Sequence, residues 1–347
     1  MKLNTIILAL AILATSCGLR SASEPSCEDG LDSLLQAKVA MVVKETMSEN
    51  QEIPGIMVTI GESDCGKIRA HVSAIRHWRS SEIIDTLDLA DSFVIMPGAI
   101  MQTATLAHLM EHHSLTLMHE IPTNHGEIKG ELLPRSNTIL DYELESGRDS
   151  ISVRKAYLNS FSYLPYYLAS EHLETRDGQA AYARDLNSYF GLRQNNKDWI
   201  YDYLPYNASN STICTVASGH SIQLTQQQIV RFYALVAKGG MREGKSILKK
   251  ETADSLSMLL RKNVINGTGI LLSKNGVAIS GKPGYGEAWQ APIAGLGTVN
   301  DEHRLKVNSF AGFYPSDDPK YVIVATILSR NNFGSGVMEI VKRIVND

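Results

Sequence analysis

Histidine spacing offers the first candidate for chemistry in this 347-residue chain, because five of its ten histidines fall between positions 108 and 125. His108 and His112 are four residues apart on a predicted helix, with Glu111 beside them. Side chains at this spacing share one helical face, so the two imidazoles could bind one metal ion. However, the helix dipole favours histidines near a helix C-terminus without any metal, and the chain has no His-Glu-x-x-His string. We therefore expect no metal and no cofactor.

Four segments in the second half of the chain carry glycines and a lysine in a fixed order. A helical pattern from Ser218 ends in a Gly pair at 239–240, and Asn266-Gly-Thr-Gly269 and Gly281-Lys-Pro-Gly-Tyr-Gly286 follow. A fourth segment, from Ser309 to Ala325, contains Phe-Tyr-Pro-Ser-Asp-Asp-Pro-Lys-Tyr. In this order and at these distances, the segments resemble the transpeptidase domain of the penicillin-binding proteins. The resemblance covers about residues 51–346.

Apolar periodicity along the chain predicts an α+β fold. A helix and a strand hairpin come first, helical patterns dominate residues 151–245, and strands return near the end. The expected helices span Leu31–Met47, Thr103–His113 and Val337–Val345, and the expected strands span Ile53–Ile60, Ile68–Ile75, 277–281, 307–313 and 320–328. The resemblance implies an antiparallel β-sheet flanked by helices, with an inserted all-helical subdomain that forms the other wall of the cleft.

The segment that corresponds to the family's nucleophile is altered. Acyl transfer in this family uses a serine with a lysine one helical turn later, in a Pro-Gly-Ser-x-x-Lys sequence at the start of a helix. In this chain the corresponding sequence is Pro-Gly-Ala-Ile-Met-Gln, residues 97–102. Ala99 has no nucleophilic atom, and the amide of Gln102 cannot act as a base near neutral pH. The resemblance therefore implies a pseudoenzyme with no catalytic residues at these positions.

A relocated serine is the alternative that would keep an enzyme. Two other Ser-x-x-Lys strings occur, Ser152–Lys155 and Ser246–Lys249. Ser152 opens a predicted helix and is better interpreted as its N-cap. Ser246 follows the Gly pair, in a segment that lies far from the cleft in relatives.

The family's second motif, Ser-x-Asn, corresponds best to Ser160-Phe161-Ser162. The resemblance implies that Ser160 keeps the hydroxyl that shuttles a proton. Ser162 stands where the family has an amide that holds the substrate. Two serines that flank helices and hydrogen-bond locally are the structural alternative.

The family's Lys-Thr-Gly strand corresponds to Lys282-Pro283-Gly284. The resemblance implies that Lys282 could attract a substrate carboxylate. Pro283 removes the hydroxyl that would bind it and also a backbone donor, which an edge strand tolerates. Gly284 would keep the strand open to a ligand, although a simple turn also explains these residues. The expected binding residues are those of the altered cleft: Ser160, Lys282, Gly284, Tyr285 and Trp289.

The first residues of the chain indicate export. A lysine at position 2 and an apolar run from Thr5 to Ala14, too short to span a bilayer, are typical of a secretory signal peptide. Ala14-Thr-Ser-Cys17 resembles a bacterial lipobox, with ordinary signal cleavage near Ser16 as the alternative. We expect a signal peptide over residues 1–16, a lipid anchor on Cys17 with a tether and helix over 17–50, and a transpeptidase-like domain over 51–347.

Charge and cysteine content limit the remaining function classes. The net charge of −4 and the absence of a clustered basic patch give no electrostatic case for nucleic-acid binding. Beyond Cys17 the chain has Cys27, Cys65 and Cys214, so at least one thiol stays free. A Cys27–Cys65 disulfide is one hypothesis, and three small apolar fillers are the alternative.

Together these observations favour an exported, membrane-anchored lipoprotein of the cell envelope, in the periplasm. Its expected role is binding, either to a peptidoglycan stem peptide or to a protein of the cell-wall synthesis machinery. Two alternatives stay open at this point. One is an active D,D-transpeptidase or carboxypeptidase with a non-standard serine, and the other is a structural scaffold without a ligand.

Overall fold

The chain was analysed as a computed structural model, which describes residues 30–77, 80–133, 137–192, 199–201, 204–205, 210–274, 276–288, 305–330 and 336–346. The predicted lipid anchor, the signal peptide, Cys27 and Trp289 lie outside these ranges. The α-helices of the described part are α1 (Ser33–Glu49), α2 (Met101–His112), α3 (Asn137–Ser146), α4 (Val153–Leu158), α5 (Tyr163–His172), α6 (Arg176–Phe190), α7 (Asn210–Ala217), α8 (Gln226–Ala237), α9 (Lys250–Asn266) and α10 (Gly336–Asn346).

A six-stranded antiparallel sheet forms the centre of the fold. Its strands are β1 (Gly55–Glu62), β2 (Ile68–Arg76), β3 (Ile83–Leu87), β4 (Ser280–Ala288), β5 (Leu305–Tyr314) and β6 (Tyr321–Ser329). They lie in the order β4-β5-β6-β1-β2-β3, so β4 is an edge strand. Two-stranded pairs join Val94–Ile95 with Leu224–Thr225, Glu120–Pro122 with Ser150–Ser152, Glu127–Ile128 with Glu131–Leu132, Trp199–Tyr201 with Leu204–Pro205, and Met241–Arg242 with Lys245–Ser246.

The sheet is buried on both faces, and its strands alternate between two apolar layers. In β1, Ile56 and Val58 pack in one core with α1 and α10. Met57 and Thr59 point to the opposite face, where the Thr59 hydroxyl donates to Gln226 Oε1 of α8 at 2.6 Å. This period of two follows from strand geometry. The predicted antiparallel sheet flanked by helices is confirmed.

Helices α2 and α4 to α7 form the predicted helical subdomain beside the sheet. They share a core with α8 and with one sheet face, and its largest members are aromatic. Tyr157, Tyr182 and Tyr233 are fully buried there, and each hydroxyl bonds to a threonine of α2. Burial of aromatic rings with satisfied hydroxyls agrees with the packing role expected of tyrosine in a core.

One predicted strand has different bounds from those expected. The sequence predicts a strand over 277–281, whereas β4 runs from Ser280 to Ala288 and contains Pro283 and three glycines. Glycine and proline weaken the strand signal of a sequence. In the structure the proline is tolerated because β4 is an edge strand, which pairs with β5 only. Gly284 and Gly286 are required because the backbone of residues 96–97 packs closely against them. The other predicted elements agree with the structure to within about two residues at their ends.

The cysteines are divided between a disulfide and a buried thiol. Cys65 is disulfide-bonded, and its partner lies outside the described residues, as does Cys27. Cys214 is free and buried. Burial raises the pKa of its thiol to about 11, so Cys214 stays protonated and serves as an apolar filler.

Helix α8 begins with a capping box, and our first prediction concerns what this cap contributes to stability. The Thr225 hydroxyl accepts from Gln228 N–H at 3.2 Å, and Gln228 Oε1 accepts from Thr225 N–H at 2.9 Å. Thr225→Ala should lower the free energy of unfolding by about 1 kcal/mol, measured by urea denaturation. Thr225→Ser keeps the hydroxyl and should lose less. Equal losses in both variants would show that the methyl group matters and the cap does not.

Candidate active site

The segment that leads into α2 is held by backbone contacts from two sides. Met96 N–H donates to Glu287 O of β4 at 3.1 Å, and Gly98 N–H donates to Gly219 O at 3.1 Å. Residues 98–100 then form a 3₁₀ turn that continues into α2. These bonds fix the backbone of residues 96–100 before the helix starts, so the position of residue 99 is set by the fold.

Gly98 is required at its position for two reasons. Its φ of +54° lies in the left-handed region that favours glycine. A Cβ on Gly98 would also lie only 1.9 Å from Tyr285 O of β4. The backbone of the turn therefore packs directly against the backbone of the strand.

The same close approach explains the glycines of β4. A Cβ on Gly284 would lie 2.4 Å from Pro97 O, and one on Gly286 would lie 2.0 Å from Met96 O. Gly284 was expected to keep the strand open to a ligand. In the structure, the chain's own backbone packs closely against one face of the strand at these two glycines, while residues 283–285 stay partly exposed.

Ala99 and Gln102 occupy the first turn that leads into α2. The methyl group of Ala99 is partly exposed. Gln102 is 2% exposed, and its Nε2 donates to Phe161 O at 3.4 Å, while its Oε1 has no hydrogen-bond partner among the described residues. Gln102 thus points towards the turn that contains Ser160. Neither side chain offers a nucleophile or a base at the positions that correspond to the family's Ser-x-x-Lys motif.

Ser160 and Lys282 meet on the other side of that turn. Lys282 Nζ donates to Ser160 Oγ at 2.8 Å and to Tyr157 O at 2.8 Å, and it lies 3.9 Å from the centre of the Tyr157 ring. Ser160 Oγ is also 3.0 Å from Thr268 Oγ1. We call Tyr157, Ser160, Thr268 and Lys282 the lysine cluster. It joins the second and third motifs that were identified separately in the sequence.

Burial controls the chemistry of the lysine cluster. Lys282 is fully buried, and desolvation lowers the pKa of its amine well below the usual range. In its deprotonated form, which a lowered pKa favours, the Lys282 amine at 2.8 Å from the Ser160 hydroxyl can accept the hydroxyl proton. Ser160 has a φ of +54°, which is strained for a residue with a Cβ. The cluster can therefore pass a proton, but Lys282 does not reach the surface to attract a carboxylate.

The sequence profile of the penicillin-binding protein transpeptidase domain matches residues 66–346. The chain belongs to this family. Among solved structures it is similar to the transpeptidase domain of the FtsI4 D,D-transpeptidase from Legionella pneumophila, with 18% identity, coverage of 90% of this chain and 96% of that one, and a TM-score of 0.61.

Two further transpeptidase structures share the fold. The transpeptidase domain of penicillin-binding protein 3 from Burkholderia pseudomallei has 17% identity, coverage of 91% and 93%, and a TM-score of 0.65. Penicillin-binding protein 2B from Streptococcus pneumoniae has 15% identity, coverage of 91% of this chain and 58% of that one, and a TM-score of 0.70. These likenesses concern the fold. No curated protein sequence matches the chain.

Transpeptidase domains of this family typically lie outside the cytoplasm. In the part of the chain that the structure describes, none of the helices has the length and apolar character needed to cross a bilayer.

The two alternative serines lie in ordinary structural positions. Ser152 is the N-cap of α4, and its Oγ accepts from Lys155 N–H at 3.3 Å. Ser246 belongs to an exposed strand pair and donates to Leu248 O at 3.1 Å. The lysine of its string, Lys249, donates instead to Glu111 O at 3.1 Å. Neither serine is bonded to the amine of the lysine three residues later, as a transpeptidase nucleophile would need.

The remaining expected site residues are spread around this centre. Ser162 precedes α5, and Pro283 is partly exposed in β4. Tyr285 lies in β4 with its carbonyl against Gly98. Two members of the lysine cluster, Tyr157 and Thr268, were missed as site residues. The Gly-Thr-Gly string around Thr268 is part of the resemblance and could have predicted that Thr268 lies at the site. No motif in the sequence predicts that Tyr157 does.

Proposed function

We propose that this transpeptidase-like domain is exported, held at the membrane by a lipid on Cys17, and does not perform acyl transfer. Its role is binding within the cell envelope. The observation that carries the proposal is Ala99, a partly exposed residue that the Gly98 turn holds at the start of α2 and that has no nucleophilic atom. The tight packing of Gly98 supports this register, because a Cβ at position 98 would lie 1.9 Å from Tyr285 O.

The loss of chemistry follows from what acyl transfer requires. The family's mechanism forms a covalent acyl-serine, so a methyl group in place of the hydroxyl removes the first step. In a serine hydrolase, removal of the nucleophile lowers kcat on the order of 10⁶-fold. The hydrogen bond between Ser160 and Lys282 could still transfer a proton, but residue 99 has no nucleophilic atom from which a proton would be removed.

The ligand class favoured by the geometry is a protein of the cell-wall synthesis machinery. A stem peptide held through its carboxylate would need a reachable amine, whereas Lys282 is fully buried. The partly exposed Ala99 and Ser160 support a stem peptide as the second candidate. Calorimetric titration with a synthetic peptide that ends in D-Ala-D-Ala separates the two, because saturable binding would favour the stem peptide.

Labelling with a fluorescent penicillin tests the loss of acyl transfer. Purified mature protein, shown by circular dichroism to be folded, should give no covalent adduct by gel fluorescence or intact-mass analysis. An active transpeptidase domain of the family, labelled in parallel, serves as the positive control. Any adduct mapped to a serine would overturn the proposal, and a Ser160→Ala variant would show whether the lysine cluster had supplied the nucleophile.

The same mass measurement tests the anchor. Protein extracted from membranes should carry a lipid on Cys17 as its first residue. A chain that begins at another residue and has no added lipid would exclude the anchor without affecting the proposal about acyl transfer.

A further inference from the structure

A second cluster of potential ligands lies at the opposite end of α2 from Ala99. His108 Nδ1 lies 2.7 Å from Asp185 Oδ2, and His112 Nε2 lies 2.8 Å from the same oxygen. The three ligand atoms all lie within 4.8 Å of one another. The sequence pairs the two histidines, but the carboxylate of α6 joins them only in the folded chain. The expectation of no metal considered the histidine pair with Glu111 and not Asp185.

We infer that His108, His112 and Asp185 form a zinc-binding site that links α2 to α6. Two imidazoles and one carboxylate are a common ligand set for Zn²⁺, with the fourth position left to water. The set contains no thiolate, which disfavours Cu(I) and iron–sulfur clusters. This site is separate from the altered cleft, and the inference does not depend on the proposed function.

The ligand atoms have to rearrange locally to accept the ion. Tetrahedral Zn²⁺ with bonds of about 2.0–2.1 Å holds its ligand atoms about 3.3 Å apart. The carboxylate oxygen therefore has to move away from each ring nitrogen by roughly 0.5 Å. The two ring nitrogens, which lie within 4.8 Å of each other, have to approach by up to roughly 1.5 Å, which rotation of the half-exposed His112 side chain can provide. Without metal, hydrogen bonds from both imidazoles to one carboxylate keep the three groups together, so the ligands are already oriented.

The burial of the three residues also suits an ion that enters from solvent. The side chain of His108 is fully buried, that of Asp185 is 25% exposed and that of His112 is 48% exposed. One ligand is thus fixed in the core, while the other two border the surface and leave an entry path. The buried Nε2 of His108 has no hydrogen-bond partner among the described residues, so the ring is oriented chiefly through Nδ1, the atom that would bind zinc.

Calorimetric titration of the tag-free, EDTA-treated protein with Zn²⁺ tests the inference. Wild type should bind one equivalent. His112→Gln and Asp185→Asn should bind at least about tenfold more weakly, because each removes a ligand. His112 is half-exposed, so its variant should fold, which circular dichroism verifies. Co²⁺ in place of Zn²⁺ should give the visible absorption of a tetrahedral site in wild type and lose it in both variants.

His125→Gln is the matched control. His125 also contacts a carboxylate, with its Nδ1 2.9 Å from Glu143 Oε2, but it has no second imidazole beside it. This variant should bind Zn²⁺ as wild type does. Failure of wild type to bind, or equal affinity in wild type and His112→Gln, would overturn the inference and leave a structural His–Asp contact. Either result is independent of penicillin labelling.

Discussion

Gly98→Ala should destabilise the domain by more than about 4 kcal/mol or prevent it from folding. The substituted Cβ would lie 1.9 Å from Tyr285 O, and both groups belong to backbone that other contacts hold in place. Neither can move without separating α2 from β4. Urea denaturation, followed by circular dichroism, measures the loss.

Gly239→Ala provides the matched comparison for this prediction. Gly239 has a similar φ of +63°, but a Cβ there would meet no atom within 4 Å. This variant should therefore show only the cost of the left-handed conformation, about 1–2 kcal/mol. The difference between the two variants isolates the packing of the turn against the strand. If both lose the same stability, then β4 does not lie as close to residues 96–100 as described.

Lys282→Met should remove the contribution of this buried amine to a rise of stability with pH in the alkaline range, so that the slope against pH differs from that of wild type. Burial lowers the pKa of Lys282 in the folded protein, whereas the unfolded chain has the ordinary value near 10.5. Between these two values the unfolded state binds more protons than the folded state. The contribution of Lys282 to the free energy of unfolding should therefore increase with pH, by up to about 1.4 kcal/mol per unit. The raised pKa of the buried Cys214 thiol acts in the opposite direction, but equally in wild type and in the variant.

The measurement is a series of urea denaturations between about pH 8 and about pH 10. The test compares the slopes of the free energy of unfolding against pH. Stability at a single pH is not decisive, because methionine also leaves Tyr157 O and Ser160 Oγ without the donor that Lys282 supplies. Lys250→Met is the control, since Lys250 is an exposed lysine whose removal should keep the rise. Parallel curves for wild type and Lys282→Met would contradict a buried neutral amine.

The residues of the altered site could be located from the sequence, but their contacts could not. Motif order placed Ala99, Gln102, Ser160 and Lys282 individually. The bond between Ser160 and Lys282 joins residues 122 positions apart, and no local pattern encodes it. The burial of Lys282 was also missed, because a lysine in a sequence is ordinarily exposed.

Tertiary packing also explains two other differences between the sequence predictions and the structure, namely the bounds of β4 and the contribution of Asp185. The bounds of β4 were misplaced because its glycines have low strand propensity. They are needed there for close packing against residues 96–100. Asp185 was overlooked because helical periodicity relates residues three or four positions apart, and this carboxylate comes from another helix. Periodicity found the hydrophobic layers of the fold, since alternation along a strand is a local property.

The position of β1 has a consequence for how this chain acquires its structure. β1 lies in the middle of the sheet, and residues 55–62 pair with residues 321–328 of β6. The central ladder therefore cannot close until nearly the whole polypeptide has emerged. Pairing between such distant segments gives a high contact order and slow folding. If the chain is exported unfolded, as proposed, its amino-terminal strands must wait with unpaired backbone groups, and chaperones on the far side of the membrane would shorten that period.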